Sequence, residues 1–291
     1  MPRRFFFALI ATLLATSFLR AENSRLPAAP FAMDNGVGRG TWAPERQAST
    51  LRELGYSGIS YNYTKPADIK VWQAELKKNG LKFYGLYFGL RLDGDESLPA
   101  GMTEALESLR GTETVLWITV PKPAAKAATG LDLGAAALTR LQSLADRAKA
   151  LGLRVVVYPH KGCHIDTAEK AFALAQQAAR PNVGVTVNIC HELDAGNGPR
   201  LPDIIRRVAP KLEMVSINGA TDRPGGAAWS NYIKLLGEGD YDVAAILRTL
   251  TEVRYAGPIG VQFFSLKGEP QDNLAATMRA WEKLAPKSKP H

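Results

Sequence analysis

The chain lacks the features that mark several classes of protein. It has two cysteines in 291 residues, too few for a scaffold held by disulfides. Outside residues 5–19, no apolar run is long enough to cross a membrane. Basic residues form no extended run except in the tail at 283–289. We therefore expect neither nucleic acid nor a stable membrane anchor among its partners.

The first 21 residues have the order of a secretory signal. Arg3 and Arg4 form a basic start, residues 5–19 are apolar and uncharged, and Ala21 precedes a polar segment. This order predicts a signal peptide at 1–21, cleaved after Ala21, and a periplasmic or extracellular location. An N-terminal anchor helix is the alternative, although about 15 apolar residues are short for a span. Without the three arginines of this segment, 33 basic residues face 28 acidic ones, a net charge of +5.

Glycine-rich phosphate-binding motifs are also missing, which bears on the fold. No Gly-x-Gly-x-x-Gly follows the first predicted strand at 30–34, as a doubly wound dinucleotide-binding sheet would need. After a short tail at 22–29, eight apolar strand patterns alternate with eight helical patterns over 30–285. This alternation predicts a single-domain (β/α)8 TIM barrel, followed by a C-terminal tail at 286–291.

The most informative stretch runs from residue 154 to residue 191. Two β-branched runs, 155–157 and 183–189, flank a helical segment, which is the pattern of a strand–helix–strand unit. Tyr158 and His160 follow the first strand, and Asn188 and His191 lie at the end of the second. Parallel strands bring both polar pairs to the same edge of the sheet, where barrel enzymes have their sites.

Five motifs in the second half occur in the order of a known family. They are Tyr158-Pro-His160, Asn188-x-x-His191, Ser216-Ile-Asn218, Gly237-Glu-Gly-Asp240 and the segment from Tyr255 to Gln262. With these motifs the chain resembles the xylose isomerase-like TIM barrels, and in particular the sugar phosphate isomerase/epimerase family. The resemblance implies a barrel with a sugar site at the carboxyl ends of its strands.

The resemblance also implies a metal site from which this sequence departs. Members of the family hold a divalent metal with Glu, Asp, His and Glu after strands five to eight. The matching positions here are Tyr158, Asn188, Asn218 and Gln262. Neutral amides and a phenol are poor ligands for hard cations, and an amide cannot act as a base. We therefore expect no metal and no cofactor.

The remaining polar residues form the predicted site. Its catalytic candidates are His160, His191 and Tyr158, and its substrate-binding candidates are Asp34, Lys161, Asn188, Asn218, Trp229 and Gln262. The histidines either supply an acid/base and a hydroxyl contact or brace a loop through hydrogen bonds. A transition-metal site formed by His160, His164 and His191 is a further alternative. Tyr87 and Phe264 are candidates for stacking on a sugar face.

The sequence leaves alternatives for the two cysteines and for the function. Cys163 and Cys190 lie near the same predicted edge, so in an exported protein they form either a disulfide or two buried thiols. The predicted function is an exported isomerase/epimerase-like or keto-sugar lyase-like protein acting on a small, non-phosphorylated sugar. The alternative is a carbohydrate-binding barrel without activity. An endonuclease-like relative would need several metal ligands and a basic groove, which the sequence does not indicate.

Overall fold

A computed structural model describes residues 26–127, 129–222 and 228–285 of the chain. The predicted signal peptide at 1–21 and the tail at 286–291 lie outside these ranges, as does the first half of the tail at 22–29. Within them, no helix combines the length and the hydropathy that a membrane span requires.

The eight predicted strands are present, and all of them pair in parallel. They are β1 Phe31–Met33, β2 Gly58–Asn62, β3 Lys82–Gly89, β4 Val115–Thr119, β5 Val155–Val157, β6 Val183–Asn188, β7 Leu212–Ile217 and β8 Ile259–Val261. Each strand pairs with its neighbours in sequence, and β1 pairs with β8 to close the barrel. The prediction of a single-domain (β/α)8 barrel is confirmed.

Helices alternate with the strands and cover the outside of the barrel. Their bounds are α1 Pro44–Glu53, α2 Pro66–Lys78, α3 Met102–Ser108, α4 Leu133–Ala150, α5 Ala168–Ala178, α6 Ile189–Asp194, α7 Leu201–Val208, α8 Val243–Glu252 and α9 Pro270–Leu284. Three of them begin at a proline, whose fixed φ suits the first helical position. The described residues thus hold one α-helix more than the sequence predicts.

The additional helix is α6, and it changes the expected setting of His191. The β-branched run predicts that strand six continues to Ile189, but the strand ends at Asn188. The side-chain oxygen of Asn188 accepts a hydrogen bond from the His191 amide at 3.4 Å and so caps a helix that starts at once. His191 therefore lies in the first turn of a helix and not in a loop.

The cap of α5 differs in a smaller way from the sequence pattern. Residues 166–169 look like a capping box that begins at Asp166, but the capping residue is Thr167, which accepts a hydrogen bond from the Lys170 amide at 3.3 Å. Asp166 forms an ion pair with Lys170 instead. Asp166 therefore has no capping role.

Large side chains fill the inside of the barrel below its carboxyl-end face. This inner cluster consists of Phe31, Met33, Trp117, Val156, Tyr158 and Met214, all of them buried. The Trp117 indole N–H donates to the hydroxyl of Thr186 at 2.6 Å, so its polar atom is satisfied. The ring of Tyr158 packs 4.7 Å from that of Trp117 and 5.4 Å from that of Tyr87. The cluster therefore fixes Tyr158 from below.

Candidate functional site

A cavity of about 180 Å³ opens at the carboxyl ends of the strands. Imidazoles, amides, aromatic rings and one guanidinium line it, and the lining residues are Met33, Asn35, Arg39, Asn62, Tyr87, Tyr158, His160, His191, Trp229, Ile233, Gln262 and Phe264. Most of them follow or end a strand, so the parallel barrel brings them to one face. Donors, acceptors and aromatic faces are the groups that sugar-binding sites use.

The Tyr158 hydroxyl is the centre of a hydrogen-bonded group at the bottom of the cavity. The Asn188 amide nitrogen donates to it at 2.5 Å and also bonds the Ser216 hydroxyl. Ser216 and Gln262 also interact with the Tyr158 hydroxyl, and both act to lower its pKa. Burial raises the pKa of Tyr158 well above its usual value, so the phenol is neutral in the physiological range.

Backbone groups engage the two other amides at the ends of β7 and β8. The Gln262 side-chain oxygen accepts from the amides of Phe263 and Phe264, both at 3.0 Å. The Asn218 side-chain nitrogen donates to the carbonyl oxygens of Gly219 and Tyr232, both at 2.7 Å. Asn218 therefore holds the loop after β7 close to the barrel and does not line the cavity.

The four positions that the resemblance matches to metal ligands carry residues that do not fit a divalent cation. Tyr158, Asn188, Asn218 and Gln262 have no charge, and three of the four use their side-chain oxygen in hydrogen bonds within the protein. The Asn218 oxygen is buried without a partner, but a single neutral ligand is a weak site. In the part of the chain that the structure describes, no three His, Cys, Asp or Glu side chains are grouped as metal ligands.

The two candidate histidines lie side by side in the wall of the cavity. Their ring centroids are 4.2 Å apart, and each ring also contacts Tyr158. Nδ1 of His160 lies 2.9 Å from the carbonyl oxygen of Lys161, and the backbone N–H of Lys161 points at Nδ1 of His191 at 3.4 Å. Nε2 of His191 is buried and has no hydrogen-bond partner among the described residues.

Burial keeps both imidazoles in the neutral form. It lowers the pKa of His160 below its usual 6.5, partly offset by the bond to the Lys161 carbonyl. It lowers the pKa of His191 well below 6.5, and the neighbouring His160 and Lys161 lower it further. Two neutral rings can offer one proton acceptor and one proton donor at the same time.

Aromatic side chains form one side of the cavity. The Trp229 ring lies 5.5 Å from that of His191 and 6.0 Å from that of Phe264, which is 42% exposed. The Lys161 ammonium lies 5.3 Å from the Trp229 ring centre and forms an ion pair with Asp194. Lys161 therefore lies outside the cavity lining, where its ammonium group stabilises the position of the Trp229 ring by a cation–π contact.

Asp34 and Arg39 form an ion pair beside the cavity. Their closest atoms are 3.2 Å apart, and the other Asp34 oxygen accepts from the Asn62 amide at 2.9 Å. Asp34 is 4% exposed, and burial raises its pKa to about 6 although Arg39 acts in the opposite direction. Of this pair only Arg39 lines the cavity.

The predicted site residues thus divide into two groups. Five line the cavity, namely Tyr158, His160, His191, Trp229 and Gln262. Four lie beside or below it, namely Asp34, Lys161, Asn188 and Asn218. The sequence prediction missed Asn35, Arg39 and Asn62, which line the wall near β1 and β2. Asn62 ends β2, so the strand-end rule used for the second half would have found it.

The cysteines and His164 do not join the site. Cys163 and Cys190 are both buried free thiols. Of the two alternatives, a disulfide or two buried thiols, the structure therefore has the two thiols. The Cys190 thiol donates to the side-chain oxygen of Asn188 at 2.9 Å. The His164 backbone bonds to Val120 at the end of β4, and the described residues contain no three-histidine metal group.

Comparison with known proteins gives consistent matches. The family model described as xylose isomerase-like TIM barrel matches residues 48–284. An L-ribulose 3-epimerase of Mesorhizobium japonicum is 25% identical over 264 residues, 82% of each chain. An inosose isomerase of Bacillus licheniformis is 25% identical over 135 residues, 46% of this chain and 48% of its own. The structure of a D-allulose 3-epimerase from Methylomonas sp. superimposes with a TM-score of 0.67 at 16% identity, covering 89% of this chain and 99% of that one.

Proposed function

Because the chain belongs to the xylose isomerase-like TIM barrel family, we propose that it acts on a small carbohydrate as an isomerase or epimerase. Two relatives that carry the names L-ribulose 3-epimerase and inosose isomerase support this proposal. The observation that carries it is the cavity at the carboxyl ends of the strands, where two neutral imidazoles lie beside amides and aromatic rings. These groups can bind hydroxyls and move a proton.

The proposed substrate carries no phosphate. Arg39 is the one charged side chain among the described residues that line the cavity, and it already has Asp34 as a partner. A phosphate ester usually meets several cations or a helix N-terminus. A neutral sugar needs neither of them, and amides with neutral imidazoles suit its hydroxyls.

We propose further that the site works without the family's metal. The residues at the four matching positions support this, because they are neutral and their side chains are used in hydrogen bonds to one another and to the backbone. Proton transfer then falls to the imidazoles. The nearby carboxylate of Glu192 does not take this role, because it is fully buried. It already accepts hydrogen bonds from the Ala168 amide at 2.6 Å and from the Asn197 side chain at 2.7 Å.

A carbohydrate-binding barrel without activity is the second candidate. The observation that favours it is that the polar side chains around the Tyr158 hydroxyl interact with one another. They include Tyr158, Asn188 and Gln262, which stand where the family has carboxylates. Turnover separates the two candidates, because a binding protein would change no sugar that it holds.

Export from the cytoplasm is also part of the proposal. It rests on the basic, apolar and small-residue order of residues 1–21. Intact-mass measurement of the protein from the medium or periplasm should give a chain that begins at Glu22. A mature protein that retains Met1 would contradict it.

Titration with a panel of ketoses tests the proposed function. L-ribulose, D-allulose, D-fructose and D-xylulose would be added to the protein, and binding and product formation would be measured. The variant Trp229→Ala should weaken binding about tenfold or more because it removes one wall of the cavity. The matched variant Trp42→Ala lies outside the cavity and should bind normally. Cleavage of an abasic-site DNA duplex, with no sugar bound, would contradict the proposal and favour an endonuclease.

A further inference from the structure

One peptide segment determines which nitrogen carries the proton in each histidine. The carbonyl oxygen of Lys161 lies 2.9 Å from Nδ1 of His160, and a carbonyl oxygen only accepts hydrogen bonds. A neutral His160 ring must therefore have its proton on Nδ1. Its other nitrogen, Nε2, then carries a lone pair and has no hydrogen bond to any described residue.

The same residue imposes the opposite arrangement on His191. The Lys161 backbone N–H points at Nδ1 of His191, so that nitrogen accepts and cannot carry a proton. The proton of the neutral ring is then on Nε2, which is buried and without a partner. A buried donor without an acceptor is costly, and a ligand oxygen in the cavity would satisfy it.

We propose that the two histidines have different and complementary roles toward a substrate that contains a carbonyl group. Nε2 of His160 removes a proton from the carbon next to the carbonyl, and the Nε2–H of His191 donates a hydrogen bond to the carbonyl oxygen. The substrate class is a ketose or keto sugar with a hydrogen on that carbon. This assignment rests on the proposed function and specifies how the same site works.

The step keeps all atoms and electrons within the substrate and the two rings. The C–H proton goes to Nε2 of His160, and the C–H electron pair forms the new carbon–carbon double bond. The π electrons of the carbonyl move to its oxygen, where the His191 donor stabilises the negative charge. His160, now an imidazolium, returns a proton to the same carbon or to the former carbonyl carbon. In the second case the proton of the neighbouring hydroxyl passes to the oxyanion as the new carbonyl forms, and no metal or oxidant takes part.

The other polar groups at the cavity are less suited to either role. Asn35, Asn62 and Gln262 are amides and cannot take up a proton. The Tyr158 hydroxyl is held in its hydrogen-bonded group, and burial raises its pKa well above the usual value. Burial lowers the pKa of both histidines, so the free base form that the proposal needs of His160 predominates at neutral pH.

Hydrogen exchange between the substrate and solvent measures this step directly. The full-length protein would be incubated in D2O with L-ribulose, D-allulose, D-fructose and D-xylulose, and loss of the proton next to the carbonyl would be followed by NMR. Gln has no basic nitrogen but keeps an N–H near the position of Nε2. We expect His160→Gln to slow exchange by about 10²–10⁴-fold. His191→Gln should stay within about tenfold of the wild type, whereas His191→Leu should lose about 10²–10³-fold.

Each outcome decides between the proposals. Thermal unfolding of all three variants first establishes that they fold. If His160→Gln exchanged at nearly the wild-type rate while His191→Gln lost exchange, the roles would be reversed and the assignment overturned. Equal losses in His191→Gln and His191→Leu would also overturn it, since the N–H donor would then be irrelevant. Conversion of a sugar without exchange in the wild type would reject this inference alone. Binding without conversion would favour the barrel without activity, and absence of binding by every ketose would reject the proposed function itself.

Discussion

Among single residues, Tyr158 makes the most instructive contribution, because three side chains share its hydroxyl group. The Asn188 amide nitrogen donates to it, and Ser216 and Gln262 interact with it, all of them buried. The group is neutral throughout and needs no counter-charge. Tyr158, Asn188 and Gln262, three of the four positions that the resemblance matches to metal ligands, thus belong to one buried polar group, whereas Asn218 bonds to the backbone.

Removing this hydroxyl should destabilise the barrel. Tyr158→Phe keeps the ring packed against Trp117 but leaves buried donors without an acceptor, so we expect a loss of about 1–3 kcal/mol in the free energy of unfolding. Urea denaturation measures it. Tyr63→Phe is the matched control, because its hydroxyl bonds to Ala100 at the surface, and a comparable loss there would contradict this explanation.

Asp34 should make stability depend on pH. Its pKa is raised from 3.8 to about 6 in the folded protein, mainly by burial. The folded state therefore keeps this proton where the unfolded state has lost it, and the resulting stability is complete below about pH 3.8 and lost as the pH rises through about 6. Relative to Asp34→Asn, the wild type should lose about 2 kcal/mol between pH 4 and pH 7.

Urea denaturation at a series of pH values provides this comparison. The same change at the exposed Asp203 controls for the loss of one charge. A pH-independent difference between the wild type and Asp34→Asn would mean that Asp34 is ionised throughout the range.

Among the elements, the loop after β7 brings an aromatic and an aliphatic side chain, Trp229 and Ile233, to the cavity. Gly219 starts this loop and forms two backbone hydrogen bonds with Lys234, at 3.1 and 2.7 Å. A Cβ atom at Gly219 would overlap the carbonyl oxygens of Leu235 and Glu238. The close approach of the two backbones therefore requires glycine.

Gly219→Ala should displace this loop. We expect a loss of about 1–3 kcal/mol in stability, since backbone atoms must move, and weaker ketose binding because Trp229 moves with them. Urea denaturation and sugar titration measure the two effects. Gly134→Ala, in the first turn of α4, meets only Asp132 and should leave both unchanged. Normal binding by Gly219→Ala would show that the loop is not part of the site.

The sequence predicts the strands better than the short helix that follows one of them. Four of the six residues from Val183 to Asn188 are β-branched, and this local pattern indicates a buried strand. The start of α6 depends on a hydrogen bond from the His191 amide to the Asn188 side chain. An Asn at a strand end is as typical of a polar site as of a helix cap, so the sequence does not predict this helix. For Asn218 the deciding partner is the Tyr232 carbonyl, 14 residues away, which no local pattern reveals.

At the scale of the whole molecule, the barrel should be indifferent to divalent metals. A ligand that binds only the folded state at about 100 times its Kd adds about 2.7 kcal/mol, or roughly 5–10 °C in Tm for a domain of this size. Since the four matching positions offer no anionic ligand, we expect Mg²⁺, Mn²⁺ and EDTA to leave Tm unchanged. A rise of several degrees with Mn²⁺ that disappears in Asn188→Ala would refute this.

The fold as a whole could be predicted because the alternation of strands and helices repeats eight times. Each repeat is visible in local hydrophobic patterns, and closure follows from their number. The site is harder to predict because it depends on which strand-end side chains turn into the cavity. Asn188 and Gln262 occupy equivalent strand ends, yet only Gln262 reaches the lining, whereas Arg39 reaches it from a glycine-rich loop.

Closure of the barrel also sets a condition on how the protein is made. Phe31 pairs with Gly260, so the first strand has one of its two neighbours near the far end of the chain. While the ribosome is still translating, β1 and β7 each expose an unpaired edge, and such edges promote association with other chains. The complete sheet can form only after β8 has left the exit tunnel. A ribosome stalled before Ile259 would therefore hold an open, aggregation-prone sheet that a chaperone has to shield.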